Sequence, residues 1–293
     1  MKFNLNKFLE RFKNDRFYYD EFNAKDKFIY RSNKTWGSFL HKENTSHKDI
    51  LNCHLKNVIE KYISLKSFHG NILEMGCGRA NDLEYFLTQN IKFDCYVASD
   101  IGSNVKFLNK KILNNKVYFL NADNHSIPIE SKSFDTIYSF GSFHHCKNFK
   151  DVLTEAKRLL KINGTLIFYN YKKHENFKKY FIIIENTLLF IFSYTGYNST
   201  KIFSKFLSYF IYLIFVIPSK TIRIFNKKIS QKIPFNYCSN INSVYRNLID
   251  RLSSPINLRF KKNELNLILQ DVGFVDINIF DDHTGLVIKC KKT

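Results

Sequence analysis

The sequence predicts an α/β protein built on a doubly wound, mostly parallel sheet, with a helical insertion late in the chain. Three observations carry that prediction. The run Ile72-Leu73-Glu74-Met75 is an apolar strand interrupted by one acid, and it leads into Gly76-Cys77-Gly78-Arg79-Ala80. A helical pattern, Asn81 to Leu87, follows at once. Strand, glycine turn and helix in that order mark the ligand crevice of an open α/β sheet, because glycines let the backbone turn tightly and approach a ligand. The second observation is that further strand runs close on acids or turns: Asp94–Asp100, Val117–Asp123 and Ser133–Gly141. The third is length: 293 residues suffice for one large core or two modest ones.

At the N-terminus, Leu5, Phe8, Leu9 and Phe12 recur at helical spacing, with Lys7, Arg11 and Lys13 between them. Such a stripe suits a helix packed over the ligand site or an amphipathic helix on an anionic membrane surface. Packing is favoured, since aromatic stripes at helical spacing are usually core. Met1 to Lys13 lacks the apolar run of about 7–15 residues that a secretory signal needs.

The glycine turn is selective about its ligand. A dinucleotide fingerprint reads Gly-x-Gly-x-x-Gly, and here Asn81 stands at the third glycine's place. Glu74, two residues before Gly76, would repel a pyrophosphate but is suited to an ammonium. Asp100 ends the second strand 22 positions after Gly78, where an acid hydrogen-bonds ribose hydroxyls. Asp123 and Asn124 end the third strand. Ser133-Phe134-Asp135-Thr136-Ile137-Tyr138-Ser139-Phe140-Gly141 forms the fourth. Asp151–Asn170 reads as a helix, a Leu-Lys-x-x-Gly turn and a fifth strand.

Taken together over residues 72–170, these motifs resemble those of the class I S-adenosylmethionine (AdoMet) methyltransferases, of the type 11-like kind. The resemblance implies a seven-stranded Rossmann-like sheet with its last strand antiparallel, and AdoMet as cofactor without a metal. It implies that Glu74, Gly76, Cys77 and Gly78 cradle the methionine half and that Asp100, with Ile101 after it, holds the ribose. Asp123 would read the adenine amino group, Asn124 would pack on the ring, and Phe140 would complete the lining. Asn263–Gly273 resembles the family's last helix, and Val275–Phe280 with Thr284–Cys290 its closing strand pair. Family N-terminal segments close over AdoMet, which gives the leader 1–65, Trp36 included, that expectation.

The expected organisation is a helical leader or lid at 1–65, a core at 66–171 and 261–293, and a basic, aromatic insertion at 172–260. Between Tyr171 and Phe260 there are 14 Lys and Arg against three acids (Glu175, Glu185, Asp250), a net +11 of the chain's +19. The Lys, Asn, Ile and Phe richness is also what an A/T-rich genome produces, so charge alone assigns no partner. Two apolar runs stand out, 181–194, interrupted by Glu185, and the uncharged 206–219. Each is short of the roughly 20 apolar residues of a bilayer span. Three readings stay open for this insertion. It is a cap over the substrate, a cap that also docks on an anionic membrane with a lipid-linked substrate, or a basic-aromatic surface for RNA.

The chemistry asks little of the protein, because the sulfonium is its own leaving group and transfer is governed by positioning. A base is needed only when the nucleophile carries a proton. His144 and His145 follow the fourth strand, and His145 is the preferred candidate for facing the substrate. Asp281, Asp282 and His283 fall at an expected tight turn and read as solvated. The fourth strand lacks the Asn/Asp-Pro-Pro-Tyr/Phe motif of amino-methylating nucleic-acid enzymes, and Cys146 lacks the preceding proline of the RNA cytosine-C5 enzymes. Cys53, Cys77, Cys95, Cys146, Cys238 and Cys290 form no Cys-x-x-Cys pair, so reduced cytosolic thiols are expected rather than a disulfide framework or a zinc site. The expected function is methyl transfer to a small-molecule acceptor, with lipid- or glycan-linked metabolites among the candidates, in the cytoplasm or peripherally at the inner face of its membrane. An RNA methyltransferase and a non-catalytic AdoMet-fold partner subunit are the alternatives.

Overall fold

The computed structural model describes the chain except residues 1, 12–16, 20–52, 103–104, 106–107, 109–111, 113, 174–179, 181–182, 185, 189, 192–196, 254–255 and 284. Trp36 and much of the first apolar run lie outside the described residues. The chain forms two units, one of residues 1–173 and 258–293 and the other of residues 174–257.

The first unit is built on eight strands: β1 (Phe17–Tyr19), β2 (Asn71–Met75), β3 (Cys95–Asp100), β4 (Val117–Asn121), β5 (Phe134–Phe140), β6 (Leu160–Tyr171), β7 (Phe274–Asp281) and β8 (Gly285–Lys292). Their order is β1-β4-β3-β2-β5-β6-β8-β7. The six strands from β1 to β6 pair in parallel, while β8 runs antiparallel to both β6 and β7. Seven of the eight form the expected sheet. The eighth corrects the expectation of an all-helical leader: Phe17–Tyr19 adds a parallel edge strand beside Phe119–Asn121.

Strands β3 and β4 are buried along their full length, as parallel strands covered on both faces must be. One face carries Leu73, Met75, Val97, Leu120 and Ile137, packed with helices α4 (Phe149–Leu159) and α9 (Lys262–Val272). Helix α1 (Leu5–Arg11) sends Leu5 and Phe8 into this same layer, and Phe3 bridges to Ile129. The N-terminal stripe is therefore core, and it packs on the face opposite Glu74. The other face carries Ile72, Tyr96, Ala98, Phe119 and Tyr138 under α3 (Asn81–Thr88) and the segment around α2 (His54–Asn57).

Two polar anchors set the ends of the elements. Asp135 accepts the first amide of β2 from Asn71 (2.8 Å) and the Lys161 ammonium (2.7 Å). Glu155 on α4 accepts the Ile127 amide (2.8 Å) and a two-nitrogen grip from Arg158, whose geometry makes such pairs strong. Helix α9 starts with the Glu264 carboxylate taking the Lys261 amide and stops at Gly273 in the left-handed region (φ 86°).

The insertion begins later and ends earlier than expected. Phe260 donates to Tyr171 O (3.1 Å) and accepts from Lys173 N (3.0 Å), so both strands of this neck belong to the core. The turn after β7 is also drier than expected. Asp282 is buried against Lys61 and the Tyr62 hydroxyl (3.2 Å), and Asp281 pairs with Lys172. All six cysteines are buried free thiols.

The second unit contains α5 (Tyr197–Ile211), a π-turn at Tyr212–Val216, α6 (Ile217–Phe225), α7 (Lys227–Ser230) and α8 (Ile241–Ser253). Its core joins Ile211, Val216, Cys238, Val244, Leu248 and Leu252.

Candidate active site

The carboxyl ends of β2, β3, β4, β5 and β6 converge on the glycine turn. Gly76 has φ 84° and leaves no room for a side chain, because a Cβ there would lie 2.2 Å from Ser142 Cβ and Oγ. Its amide and that of Cys77 both donate to Ser99 O (2.7 and 2.8 Å), which ties the turn to the end of β3. Gly78 (φ 51°) and Gly141 (φ 72°) differ in kind. A Cβ at either would meet nothing within 4 Å, so both face open space. Ala80 also stands in the left-handed region (φ 58°), a conformation that glycine adopts at less cost.

Asp100 is the hinge of this geometry. Its Oδ2 accepts the Gly78 amide (2.8 Å) and its Oδ1 the Gly102 amide (2.7 Å). Burial raises its pKa, against the two amides, which stabilise the charged form. Ile101 sits in the bend between, half-buried. Asn121 locks the backbone beneath it through Asp100 O (2.8 Å) and Gly102 O (3.1 Å).

Glu74 lies under the turn rather than at its surface. Its Oε2 accepts the Tyr96 hydroxyl at 2.8 Å. Burial, then the charges of Asp82 and Asp100, push its pKa up to about 8, with the Tyr96 bond opposing. Asp82 in the first turn of α3 caps the His54 and Leu55 amides (2.8 and 3.1 Å) and accepts the Tyr138 hydroxyl (2.7 Å). Cys77 is buried beside them, and burial with those acids pushes its thiol well up, which makes it inert.

Asp123 and Asn124 diverge. Asp123 Oδ1 is engaged by His125 through the backbone amide (2.9 Å) and Nδ1 (2.6 Å). Asn124 instead donates to Ser142 Oγ (2.8 Å), and its Oδ1 is buried without a hydrogen-bond partner. Phe140 is stacked between the His54 ring (4.1 Å) and the Tyr169 ring (4.3 Å).

Both histidines sit in the single turn Phe143–His145, and both are buried. The His144 ring lies 4.3 Å from His145 and 4.0 Å from Tyr171, with the Arg259 guanidinium 5.0 Å from the Tyr171 ring. Burial, then His145 and Arg259, lower the His144 pKa well below its ordinary value. Neither of its ring nitrogens makes a well-formed hydrogen bond, and neither does Asn170 Oδ1 beside it. His144 is thus held in its neutral form.

Residues 73–168 match the family model described as "Methyltransferase domain". Over that third of its length the chain is similar to methyltransferase domains. The matched stretch holds the glycine turn, strands β3 to β5 with most of β2 and β6, and the two histidines described above.

Among curated proteins, an uncharacterised protein of Methanocaldococcus jannaschii is 33% identical over 114 residues, covering 39% of this chain and 40% of that one. The sarcosine/dimethylglycine N-methyltransferase of Aphanothece halophytica is 26% identical over 167 residues, covering 54% and 59%. The chain therefore spans about half the length of the curated relatives it matches. Among solved structures, human N-acetylserotonin methyltransferase bound to SAM aligns with TM-score 0.52 at 12% identity, covering 92% of this chain and 60% of that one. A Haloferax volcanii complex of the Trm112 methyltransferase activator with a methyltransferase aligns with TM-score 0.50 at 14% identity, covering 92% and 99%. These two likenesses speak for the fold.

The residues present fit AdoMet. Gly78 and Gly141 leave the space a cofactor fills, the Asp100 carboxylate stands beside it with both oxygens fixed, and the one acid beneath the turn suits a cation. Sequence reasoning missed Asp82, Tyr96, Ser142, Tyr169, Tyr171 and Arg259. Strand register carried a signal for one of them: Ile72 pairs with Tyr96 and Glu74 with Ala98, so Tyr96 and Glu74 share a face.

Proposed function

We propose that this chain is an AdoMet-dependent methyltransferase acting on a small-molecule acceptor. The observation that carries the reading is the Asp100 clamp on the Gly78 and Gly102 amides, beside a turn whose Gly78 opens onto free space. AdoMet, when bound, brings an activated methyl group on a sulfonium, so the protein's task is to place an acceptor in line with it. Glu74 balances the cofactor's ammonium, Asp100 holds its ribose, and Asn124 with Phe140 borders its adenine side. The aromatic wall of Phe140, Tyr169 and Tyr171 keeps water from the reacting centre. His144, through its ring nitrogens, and Asn170, through Oδ1, orient the acceptor by hydrogen bonds.

The name of the Aphanothece relative speaks of amino-nitrogen acceptors for that protein, while the basic, aromatic insertion of this chain speaks for an acceptor with a lipid or glycan attached. Calorimetric titration with AdoMet tests the first half of the proposal. Micromolar binding, lost in Asp100→Ala, is expected, and no binding at millimolar AdoMet would remove it. Labelled methyl transfer into extracted lipid, glycan, small-metabolite and RNA fractions tests the second half. Label confined to RNA would overturn the small-molecule reading.

A further inference from the structure

The second unit contains a helix that is apolar on its outward side as well as at its packed positions. Residues Asn198–Phe225 run as one 28-residue helix with mean hydropathy 1.7 in its most apolar part, only 28% of which is buried. The π-turn at Tyr212–Val216 passes the chain through Pro218 without a break. In water a surface helix turns its apolar stripe inward and its polar residues outward. Here the buried positions hold Thr200, Ser204, Ser208 and Ser219 beside Ile211 and Val216. The outward positions include Ile202 (74% exposed), Phe206 (64%), Leu213 (62%) and Ile214 (59%). Small hydroxyl residues facing protein and large apolar ones facing outward is the arrangement of a helix whose outer solvent is lipid.

Charge selects which lipid and which orientation. The stretch 206–219 carries no charge, while Lys201 and Lys205 precede it and Lys220, Arg223, Lys227 and Lys228 follow it. A row of cations at both ends of an apolar face suits anionic headgroups. The helix is about 42 Å long at 1.5 Å per residue, longer than a hydrocarbon core of about 30 Å. A crossing is nevertheless disfavoured. The helix packs against α8, which carries Arg246 and Arg251, and a crossing would draw those charges into hydrocarbon.

We propose that the 198–225 helix lies in the plane of an anionic lipid surface, with Ile202, Phe206, Leu213 and Ile214 in the acyl boundary. Arg223, Lys227 and Lys228 then lie on the headgroups. The inference does not rest on methyl transfer; with that reading it places the enzyme where a lipid-linked acceptor would be found.

The test is flotation of the full chain with phosphatidylcholine vesicles, with and without phosphatidylglycerol, at low salt. The wild type is expected to float with the anionic vesicles. Phe206→Ser/Leu213→Ser/Ile214→Ser should reduce partitioning by at least about a hundredfold, given the burial value of three such side chains. Arg223→Gln/Lys227→Gln/Lys228→Gln should remove the preference for anionic over neutral vesicles. Helical content by circular dichroism, matched to wild type, separates a lost surface from a lost fold. Wild-type protein that stays at the bottom of the gradient would overturn the proposal. So would serine-variant partitioning equal to wild type, self-association that the serine variant abolishes without any vesicle binding, or salt-sensitive RNA binding without vesicle binding. AdoMet titration of the same samples reports on the methyltransferase reading separately.

Discussion

The Tyr96 hydroxyl donates to Glu74 Oε2 at 2.8 Å inside the sheet, with both residues fully enclosed. Asp82 and Asp100 stand close enough to raise the Glu74 pKa, and no cation among the described residues neutralises it in the absence of ligand. The protein therefore holds an acid beneath the glycine turn that is half-protonated near pH 8. That single arrangement ties stability, cofactor binding and pH together.

Stability of the ligand-free protein should fall as pH rises. The folded-state pKa of about 8 lies above the ordinary 4.5, so between those values the folded state binds the extra proton. The unfolding free energy then decreases across that window and levels off above it, by a few kcal/mol at most. Thermal unfolding between pH 5 and 9 measures this, and Glu74→Gln should flatten the Glu74 contribution and unfold later at the alkaline end. An unchanged slope in that variant would assign the effect elsewhere.

AdoMet affinity should move the other way. If Glu74 meets the cofactor's ammonium as a carboxylate, binding must release its proton below pH 8. Calorimetry in buffers of different ionisation enthalpy should register close to one proton released at neutral pH, and affinity should rise up to about tenfold per pH unit before levelling near 8. Glu74→Gln should bind more weakly and lose that dependence. Binding without proton release would show that the acid stays protonated and acts only within the fold.

The two glycines of the turn should fail differently. Gly76→Ala forces a Cβ to 2.2 Å from Ser142 and should cost about 2 kcal/mol or more in stability. For Gly78→Val the Cβ meets no atom within 4 Å, so its cost should be chiefly that of a β-branched residue in the left-handed region, about 1–2 kcal/mol or more. Its side chain fills the cofactor's space, and AdoMet affinity should drop at least about tenfold. Paired melting and binding measurements distinguish the two, and normal AdoMet binding by Gly78→Val would move the cofactor away from this turn.

His144→Phe should leave the ligand-free protein within about 1 kcal/mol of wild type, because neither ring nitrogen makes a well-formed hydrogen bond and the ring contacts survive. Acceptor KM should rise, with AdoMet affinity unchanged. The wild-type pH–rate profile should show no inflection from His144, whose pKa lies well below its ordinary value. A large loss of stability would show that the nitrogens are bonded in the folded protein.

Much of the core was legible in the chain because its signals are local. Alternating strand and helix patterns, glycines at 76 and 78 and acids at 74, 100 and 123 each depend on a few neighbouring residues, and together they determined the fold class and the cofactor type. Tertiary structure alone decided what each acid does. Asp100 binds two amides from opposite sides of the turn, Asp123 is occupied by His125, and Glu74 is sunk against Tyr96. It also decided that Leu5 and Phe8 pack on the face opposite Glu74, that residues 17–19 extend the sheet, and that 206–219 is the middle of a 28-residue helix with large apolar residues left exposed. The physical reason is that pKa, burial and facing are properties of what surrounds a residue. Those surroundings come from chain segments tens to hundreds of positions away.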